Sequence, residues 1–282
     1  MKLVSYYFQT DVNRQLKRGV LLDGGVLPVT GDFNALGETD LANLQAQLER
    51  ANGAGLVPLE QVQLGAPLPN PPKIICVGLN YSDHAEETGM TPPPTPLLFA
   101  KWSNTLIGPD APVFLDGTSQ QVDYEAELVF VIGKPAYKIP EEHAFEYIAG
   151  YMCANDVSAR DLQFATPGNQ WSRSKSLDGF CPIGPYLATS DEIADPHNLR
   201  IACRVNQQTL QDSNTSKLIF KIPTLLSFLS QGMTLQPGDI VLTGTPAGVG
   251  FTRKPPLFLK PGDVCEIEIE GLGTLRNNFV ER

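Results

Sequence analysis

Three acidic residues, Asp123, Glu125 and Glu127, are spaced two apart in the segment VDYEAELVFVIG. In an extended strand, side chains two positions apart share a face, so the three carboxylates are predicted to point the same way. On alternation alone this is typical of the solvated face of an antiparallel strand. After Glu127, however, the same face continues with Val129 and Val131, which predicts burial on both sides. Because a buried carboxylate is costly unless it is paired or bound to a metal, Glu125 and Glu127 are candidate metal ligands.

The chain contains a strand for comparison, VCEIEIEG at residues 264–271. From Cys265 onwards its glutamates, Glu266, Glu268 and Glu270, alternate with apolar residues, and nothing apolar enters the acidic face after Glu266. This pattern predicts a half-buried strand with one side in water.

A third acid follows in the segment CANDVSARDLQ, which we predict to open as a short helix. On a helix, Asp156, Arg160 and Gln163 would lie along one face, at positions i, i+4 and i+7. By itself the stripe also fits an ordinary surface ion pair, but beside Glu125 and Glu127 it suggests Asp156 as a third ligand. An all-oxygen ligand set suits Mg²⁺ first, then Mn²⁺ or Ca²⁺, and not zinc.

A possible general base lies in the segment NYSDHAEETG. Asp83 as N-cap and Glu86 at N3 would form a capping box and start a short helix. His84 and Glu87 would then share a face, so that Glu87 could orient and polarise the imidazole. An exposed helix with incidental charges explains the same pattern.

The Gly-rich segment GTPAGVG, residues 244–250, lacks the G-K-[ST] ending of a P-loop. Its backbone amides, from Gly244 onwards, and the Thr245 hydroxyl could instead hold a carboxylate or enolate oxygen.

Composition limits the class of protein. The 282 residues carry a formal charge of −10, which argues against nucleic acid, since binding it requires many Lys and Arg side chains. The five cysteines are widely spaced without a C-x-x-C, and we interpret them as reduced core thiols of a cytoplasmic protein. The start, MKLVSYYFQTD, has no apolar signal segment, and no stretch approaches the length of a membrane span.

The elements that must position these residues are mostly short strands between Gly and Pro turns. Residues 1–66 predict a small N-terminal α+β domain, with helical spacing around 41–50. Residues 67–282 predict a β-rich catalytic domain with few helices, among them one over 223–231. The pattern favours a mixed α/β, strand-rich sandwich, barrel or roll.

Together these segments resemble the fumarylacetoacetate hydrolase family. The resemblance runs from about Pro72 to the C-terminus through five ordered motifs: VGLNYSDHAEE, VDYEAELVFVIG, NDVSARDLQ, QWSRSKSLDGFCPIGP and DIVLTGTPAGVG. DPHNLRIACRVN and TRKPPLFLKPGD are similar to the branch called fumarylacetoacetate hydrolase domain-containing protein 2. The resemblance implies a mixed β-sandwich roll preceded by a small N-terminal domain, usually as a homodimer.

The resemblance also implies roles. The metal ligands fall on Glu125, Glu127 and Asp156, and the base and its partner on His84 and Glu87. Groups that hold substrate or stabilise charge are Arg160, Gln163, Lys175, Thr245 and Gly244. Fumarylacetoacetate hydrolase itself has a further aspartate ligand before its histidine, whereas Cys76 to Asn80 contain no acid here, so fumarylacetoacetate is a doubtful substrate.

The leading hypothesis from the resemblance is a Mg²⁺-dependent hydrolase that cleaves a C–C bond in small anionic 2,4-dioxo acids, such as acylpyruvates, through a metal-bound pyruvate enolate. Oxaloacetate tautomerisation or decarboxylation, or isomerisation of a 2-hydroxyhepta-2,4-diene-1,7-dioate, would use the same site. An inactive binding or scaffold protein is the alternative from another class.

Overall fold

The computed structural model describes residues 1–31, 33, 36–165 and 169–282. Its strands are β1 (Lys2–Phe8), β2 (Lys17–Leu22), β3 (Gly25–Val29), β4 (Val62–Gly65), β5 (Ile74–Gly78), β6 (Leu97–Ala100), β7 (Leu106–Ile107), β8 (Val113–Leu115), β9 (Val122–Asp123), β10 (Ala126–Ile132), β11 (Ile148–Asn155), β12 (Ser158–Ala159), β13 (Cys181–Thr189), β14 (Arg200–Val205), β15 (Gln208–Asn214), β16 (Ile240–Leu242), β17 (Val264–Ile269) and β18 (Gly273–Glu281).

The helices are few and short, as the sequence predicts. They are α1 (Glu38–Ala51), α2 (Ser82–Thr88), α3 (Arg160–Phe164), α4 (Trp171–Ser174) and α5 (Ile222–Ser230), with 3₁₀ turns at Leu59–Gln61, Ser103–Thr105, Glu141–Tyr147, Ser190–Glu192 and Thr215–Lys217.

Two sheets carry the fold. The larger has the strand order β3-β2-β1-β13-β11-β10-β16-β5-β6, and the smaller has the order β15-β14-β17-β18-β8. Most neighbours are antiparallel, but β16 pairs with β5, β18 with β8 and β13 with β7 in parallel. The predicted mixed, strand-rich fold is therefore confirmed.

Strand β10 lies at the centre of the core. Leu128 and Phe130 face a cluster shared with Ile201 and Ile267 of the smaller sheet. Val129 lies in a second cluster on the opposite side of the larger sheet. Burial on both sides is thus confirmed, and it explains why the strand is a run of bulky apolar residues.

The acidic segment in front of β10 is not one continuous strand. Strand β9 ends at Asp123, and β10 begins at Ala126. Strand β9 lies outside the large sheet and pairs with β12 in a separate two-stranded sheet. The prediction that all three acids extend one strand face is therefore wrong for Asp123, because the chain changes partners between them.

The comparison strand behaves as predicted. In β17 the residues alternate between buried and half-buried positions. Arg204 on neighbouring β14 pairs with Glu266 and Glu268 on the half-buried face.

The N-terminal segment continues the larger sheet, since β1 pairs with β13 through Lys2↔Ala188 and Leu3↔Leu187. The boundary near residue 66 stays a prediction.

The helix predicted to begin near Asp156 begins instead at Arg160, after β12. Helix α5 agrees well with its predicted range, and a proline in its first turn suits a helix start.

Candidate metal and acid–base site

Three acidic side chains meet where the first residue of β10 lies beside the last residue of β11. Each of Glu125, Glu127 and Asp156 offers a carboxylate oxygen within 4.8 Å of those of the other two. Their exposures are 6%, 1% and 0%. The pairing Ala126↔Asn155 makes this meeting inevitable, because Glu125 precedes β10 and Asp156 follows β11 at the same edge.

The break before β10 is held by side chains. Glu125 donates its backbone N–H to Asn155 Oδ1 at 3.0 Å, and Ala126 donates its N–H to Gln211 Oε1 at 2.9 Å. Asp156 N donates to Glu125 O at 2.9 Å. These bonds satisfy buried backbone groups that leave the ladder, and they fix the two ligand-bearing residues against each other.

Two lysines lie among the carboxylates. Lys175 Nζ donates to Glu125 Oε2, Asp156 Oδ2 and Ser158 Oγ at 2.7–2.8 Å. Lys101 Nζ donates to Asp156 Oδ1 at 2.6 Å. Burial opposes the charge on Lys175, but Asp156 and Glu125 outweigh it and raise the pKa of its ammonium.

The two glutamates differ sharply in electrostatics. Burial would raise the pKa of Glu125, but the charges of Lys175 and Arg160 outweigh it and lower that pKa to about 2. Burial and the nearby charges of Asp156 and Glu125 raise the pKa of Glu127 well above its usual value. Glu127 is therefore a buried carboxylate that still lacks sufficient positive charge.

This donor set fits a hard divalent cation. Three buried carboxylates offer oxygen ligands of the kind that Mg²⁺ and Mn²⁺ prefer, and a dipositive ion would relieve the repulsion at Glu127. The residues that would hold the ion are Glu125, Glu127 and Asp156.

Arg160 and Gln163 lie beside this cluster on α3. Arg160 Nη1 donates to Gln163 Oε1 at 2.9 Å, and its Nη2 donates to Glu125 Oε1 at 2.6 Å. The helical stripe was predicted to include Asp156, but that carboxylate contacts the lysines instead, because Asp156 precedes β12 and not α3.

Asp123, the acid of the first motif that is not a predicted ligand, is completely buried beside Arg160. Its Oδ2 accepts from Arg160 Nε at 2.9 Å and from Phe251 N at 3.1 Å, and its Oδ1 accepts from Gly250 N at 2.7 Å. Asp123 therefore orients the guanidinium and belongs to the support of the site.

His84 and Glu87 form the expected pair on α2, with His84 Nδ1 3.1 Å from Glu87 Oε2. The predicted capping box is wrong, since the N-cap is Tyr81 and Asp83 lies inside the first turn. Asp83 instead accepts bonds from Ser213, Lys217 and the backbone of Ala247.

The segment 244–252 borders both groups. Gly244 N donates to Glu127 Oε2 at 2.7 Å, and Thr245 Oγ1 accepts from Gln211 Nε2 at 2.8 Å. Glycine is required at 244, because its φ is +102° and a Cβ would lie 2.9 Å from the Asn80 Cβ.

One cavity joins these parts and is lined by both polar and apolar side chains. Its polar lining includes predicted site residues: His84, Glu125, Glu127, Arg160, Gln163, Lys175 and Thr245. Its apolar lining includes Val77, Met90, Phe99, Phe164, Trp171 and Phe251. The fold thus brings the side chains named from the sequence together: all line the cavity except Glu87, which contacts His84, and Asp156, which contacts Lys175.

Sequence reasoning missed Lys101, Asn155 and Gln211. Lys101 follows an ordinary strand, and no spacing relates it to Asp156, which is 55 positions away. Asn155 directly precedes Asp156, so its place beside a predicted ligand was the available signal.

No helix in the described part of the chain is long and apolar enough to cross a membrane. The five cysteines are free and buried, as predicted.

Comparison with known proteins gives consistent matches. A family model described as fumarylacetoacetate (FAA) hydrolase C-terminal matches residues 73–280. Oxaloacetate tautomerase fahd2, mitochondrial, of Xenopus laevis is 46% identical over 249 residues, which cover 88% of this chain and 77% of the relative. The fumarylacetoacetate hydrolase domain-containing protein 2 homolog of Dictyostelium discoideum is 43% identical over 298 residues, covering 99% and 97%.

A solved structure of maleylpyruvate hydrolase from Sphingobium sp. SYK-6, in complex with manganese(II) and pyruvate, superposes with a TM-score of 0.79. The sequences are 31% identical, and the match covers 100% of this chain and 99% of the other. The predicted family and its branch are confirmed by these matches.

Proposed function

The chain belongs to the fumarylacetoacetate hydrolase family, and on this premise we propose that it is a divalent-metal-dependent enzyme that catalyses proton transfer at C3 of a small 2-oxo acid, with oxaloacetate keto–enol tautomerisation as its reaction. The observation that carries the proposal is the buried carboxylate cluster beside a cavity that Glu125, Glu127 and His84 line, with His84 paired to Glu87. The Xenopus relative's name supports the choice of oxaloacetate.

The metal, held by Glu125, Glu127 and Asp156, would supply Lewis-acid polarisation of the 2-oxo group and adjacent carboxylate when bound. Mg²⁺ is the first choice and Mn²⁺ the second, since manganese is the ion named with the Sphingobium structure. Ca²⁺ is a weaker possibility from the same ligand chemistry.

His84 is the proton carrier. We assign the imidazole proton of His84 to Nδ1, because Glu87 Oε2 can accept a hydrogen bond from that nitrogen. The other ring nitrogen, Nε2, can then accept a proton from substrate. In enol formation His84 removes the C3 proton, O2 gains a proton from water, and the hydroxide that remains takes the proton from His84. In ketonisation His84 returns a proton to C3, and O2 loses its own. The reaction is a balanced isomerisation.

Cationic groups bind and orient the acid. Arg160 is fixed by Asp123 and Glu125, and Lys175 by Glu125 and Asp156, so both present preset positive charge beside the 2-oxo group. Such preorganised charge stabilises the negative charge that develops on O2. Gln163 and Thr245 complete the substrate-binding group, whereas the Gly244 amide, predicted to join it, donates to Glu127.

The hydrolysis of acylpyruvates stays the second candidate, favoured by the likeness to a maleylpyruvate hydrolase. In that reaction His84 would take a proton from water, and water would attack the distal carbonyl. Decarboxylation, diacid isomerisation and an inactive scaffold remain alternatives from the sequence.

The test is a Mg²⁺-dependent ultraviolet assay with enol-oxaloacetate, acetylpyruvate and fumarylpyruvate. We expect faster enol decay without release of CO₂ or pyruvate. Glu125→Ala should abolish metal binding and turnover, whereas His84→Ala should retain metal binding and lose turnover.

The matched control is His143→Ala, because His143 and Glu146 form another i,i+3 pair at 2.7 Å on the exposed surface. Loss of activity in that variant, or full activity in His84→Ala, would refute the assigned base. Pyruvate release from acetylpyruvate with unchanged enol decay would select the hydrolase.

A cytoplasmic location and a homodimer stay proposals. Free buried cysteines support a reducing compartment, whereas the Xenopus relative is named as mitochondrial. The homodimer is supported by exposed Leu97 and Leu98 on β6, at the edge of the larger sheet, and light scattering would measure it.

A further inference from the structure

One loop donates hydrogen bonds to four carboxylates of the site, and we call residues 244–252 the donor loop. Its donors reach Glu127 through Gly244 N, Asp83 through Ala247 N, Asp123 through Gly250 N and Phe251 N, and Glu87 through Gly248 N and Thr252 Oγ1. It therefore links the base, the ligand cluster and the support of Arg160.

The bonds to Glu87 divide between its two oxygens. Oε2 faces His84 Nδ1 at 3.1 Å. Oε1 accepts from Gly248 N at 2.9 Å and from Thr252 Oγ1 at 2.9 Å. The carboxylate is thus held at its far oxygen while its near oxygen orients the imidazole.

We propose that Thr252 is a positioning residue that completes a Thr252–Glu87–His84 series by fixing the carboxylate that orients the base. This inference rests on the proposed role of His84 as proton carrier.

The Thr252 hydroxyl has two acceptors and one proton. Val249 O lies 2.9 Å away, as does Glu87 Oε1. A bond to an ionised acceptor is roughly twice as strong as one to a neutral carbonyl, so the proton favours Glu87. Burial would raise the pKa of Glu87, but the bonds from His84, Thr252 and Gly248 outweigh it and keep that pKa below its usual value.

Glu87 needs this second anchor because its side chain is 22% exposed. Water can compete for a partly exposed carboxylate and let it rotate away from the imidazole. A base that is displaced by a fraction of an ångström loses rate even when substrate still binds.

The donor loop itself is rigidly placed. At Gly248 the φ is +104°, and a Cβ would lie 2.2 Å from Leu210 O, so no larger residue fits. Arg253 Nη2 donates to Leu210 O at 2.5 Å and to Gly248 O at 3.2 Å, which ties the loop to β15. A fixed loop can impose its geometry on Glu87.

The test compares Thr252→Val, which keeps the shape and removes the hydroxyl, with Thr252→Ser, which retains it. The matched control is Thr224→Val, because Thr224 Oγ1 donates to Glu141 Oε2 at 2.9 Å on the exposed surface. With enol-oxaloacetate and Mg²⁺ we expect Thr252→Val to lower kcat about tenfold with KM within about twofold. Thr252→Ser and Thr224→Val should stay near wild type.

A second readout needs neither substrate nor metal. The chain has three histidines, so ¹⁵N-labelled imidazole signals can be assigned one by one with histidine variants. The Nδ1 proton of His84, bonded to a carboxylate, should give a low-field signal that broadens or moves in Thr252→Val and returns in Thr252→Ser. His143 serves as an internal reference.

The outcomes separate the two proposals. An inactive wild type with the predicted imidazole change would reject the oxaloacetate reaction and retain the positioning role. An active wild type with unchanged kcat and imidazole signal in Thr252→Val would overturn the positioning role. Equal losses in Thr252→Val and Thr252→Ser would overturn it as well.

Discussion

Lys101 Nζ lies 2.6 Å from Asp156 Oδ1, and both side chains are completely buried. The ammonium thus compensates a carboxylate that would otherwise be a bare charge in the core. Lys175 neutralises the other oxygen of Asp156 and one oxygen of Glu125, which leaves Glu127 as the carboxylate without a lysine partner among the described residues. Lys101, Arg160 and Lys175 thus pair with Asp123, Glu125 and Asp156, and the fourth carboxylate, Glu127, is the one that a divalent ion would compensate.

The first prediction concerns Lys101→Met. Removing one partner of a buried ion pair typically costs about 3 kcal/mol or more, so the metal-free variant should unfold at a lower temperature than wild type. The site also becomes more negative, so added Mn²⁺ should raise its melting temperature by more than it raises that of wild type. Thermal unfolding with chelator and with Mn²⁺ measures both effects. A smaller metal effect in the variant would mean that Lys101 orients Asp156 and does not mainly balance its charge.

The second prediction concerns Glu127→Gln. Metal at 100 times its dissociation constant should stabilise the wild type by about 2.7 kcal/mol, and this gain should vanish in the variant. Without metal the variant should be as stable as wild type or more so, because burial and the charges of Asp156 and Glu125 oppose ionisation of Glu127 and raise its pKa. Glu268→Gln, on the half-buried face of β17, is the matched control and should keep the full metal effect. Calorimetric titration with Mn²⁺ measures binding directly, and wild-type affinity in Glu127→Gln would contradict the assignment of Glu127 as a ligand.

The third prediction concerns Asp123→Asn. Both carboxylate oxygens accept two hydrogen bonds each, from Tyr124 N and Gly250 N on one side and from Arg160 Nε and Phe251 N on the other. In asparagine an NH₂ group replaces one of these oxygens and would face two N–H donors. This mismatch should lower the free energy of unfolding by about 2 kcal/mol. Arg160 should also lose its orientation, so KM for the 2-oxo acid should rise.

Urea unfolding of Asp123→Asn should be compared with Asp212→Asn, which breaks an exposed pair with Arg200. Exposed pairs contribute about 0–1 kcal/mol, so a similar loss in both variants would contradict the buried role of Asp123.

The fourth prediction is a pH dependence at Asp83. Burial would raise the pKa of this carboxyl, but bonds from Ser213, Lys217 and Ala247 lower it below 3.8. Because the pKa of Asp83 is lower in the folded than in the unfolded state, its ionised form stabilises the fold fully at pH values above the unfolded-state pKa. This stabilisation is lost as the pH falls through the folded-state pKa of Asp83. Asp83→Asn should therefore lower the unfolding free energy by about 1 kcal/mol at pH 7 and make no difference near the acid end.

Chemical unfolding of Asp83→Asn at a series of pH values checks this window. Glu86→Gln, on the exposed face of the same helix, should show no such trend. A stability difference that stays constant down to low pH would mean that the contacts of Asp83 do not depend on its charge.

The local pattern determined much of this protein. The unbroken apolar run after Glu127 predicted a strand buried on both faces, because a strand with neither face in water has no need for alternating polar residues. The spacing of His84 and Glu87 predicted their contact, because one helical turn brings positions three apart together. Ordered motifs predicted the family and with it the ligand set.

Tertiary structure decided what no spacing encodes. Asp156 joins the two glutamates because β10 begins beside the end of β11, and not because it shares a helix with Arg160. Lys101 reaches Asp156 from 55 positions away, and Thr252 reaches Glu87 from 165 positions away. Such contacts arise from packing between distant segments, whereas periodicity describes only the neighbours of a residue along its own helix or strand.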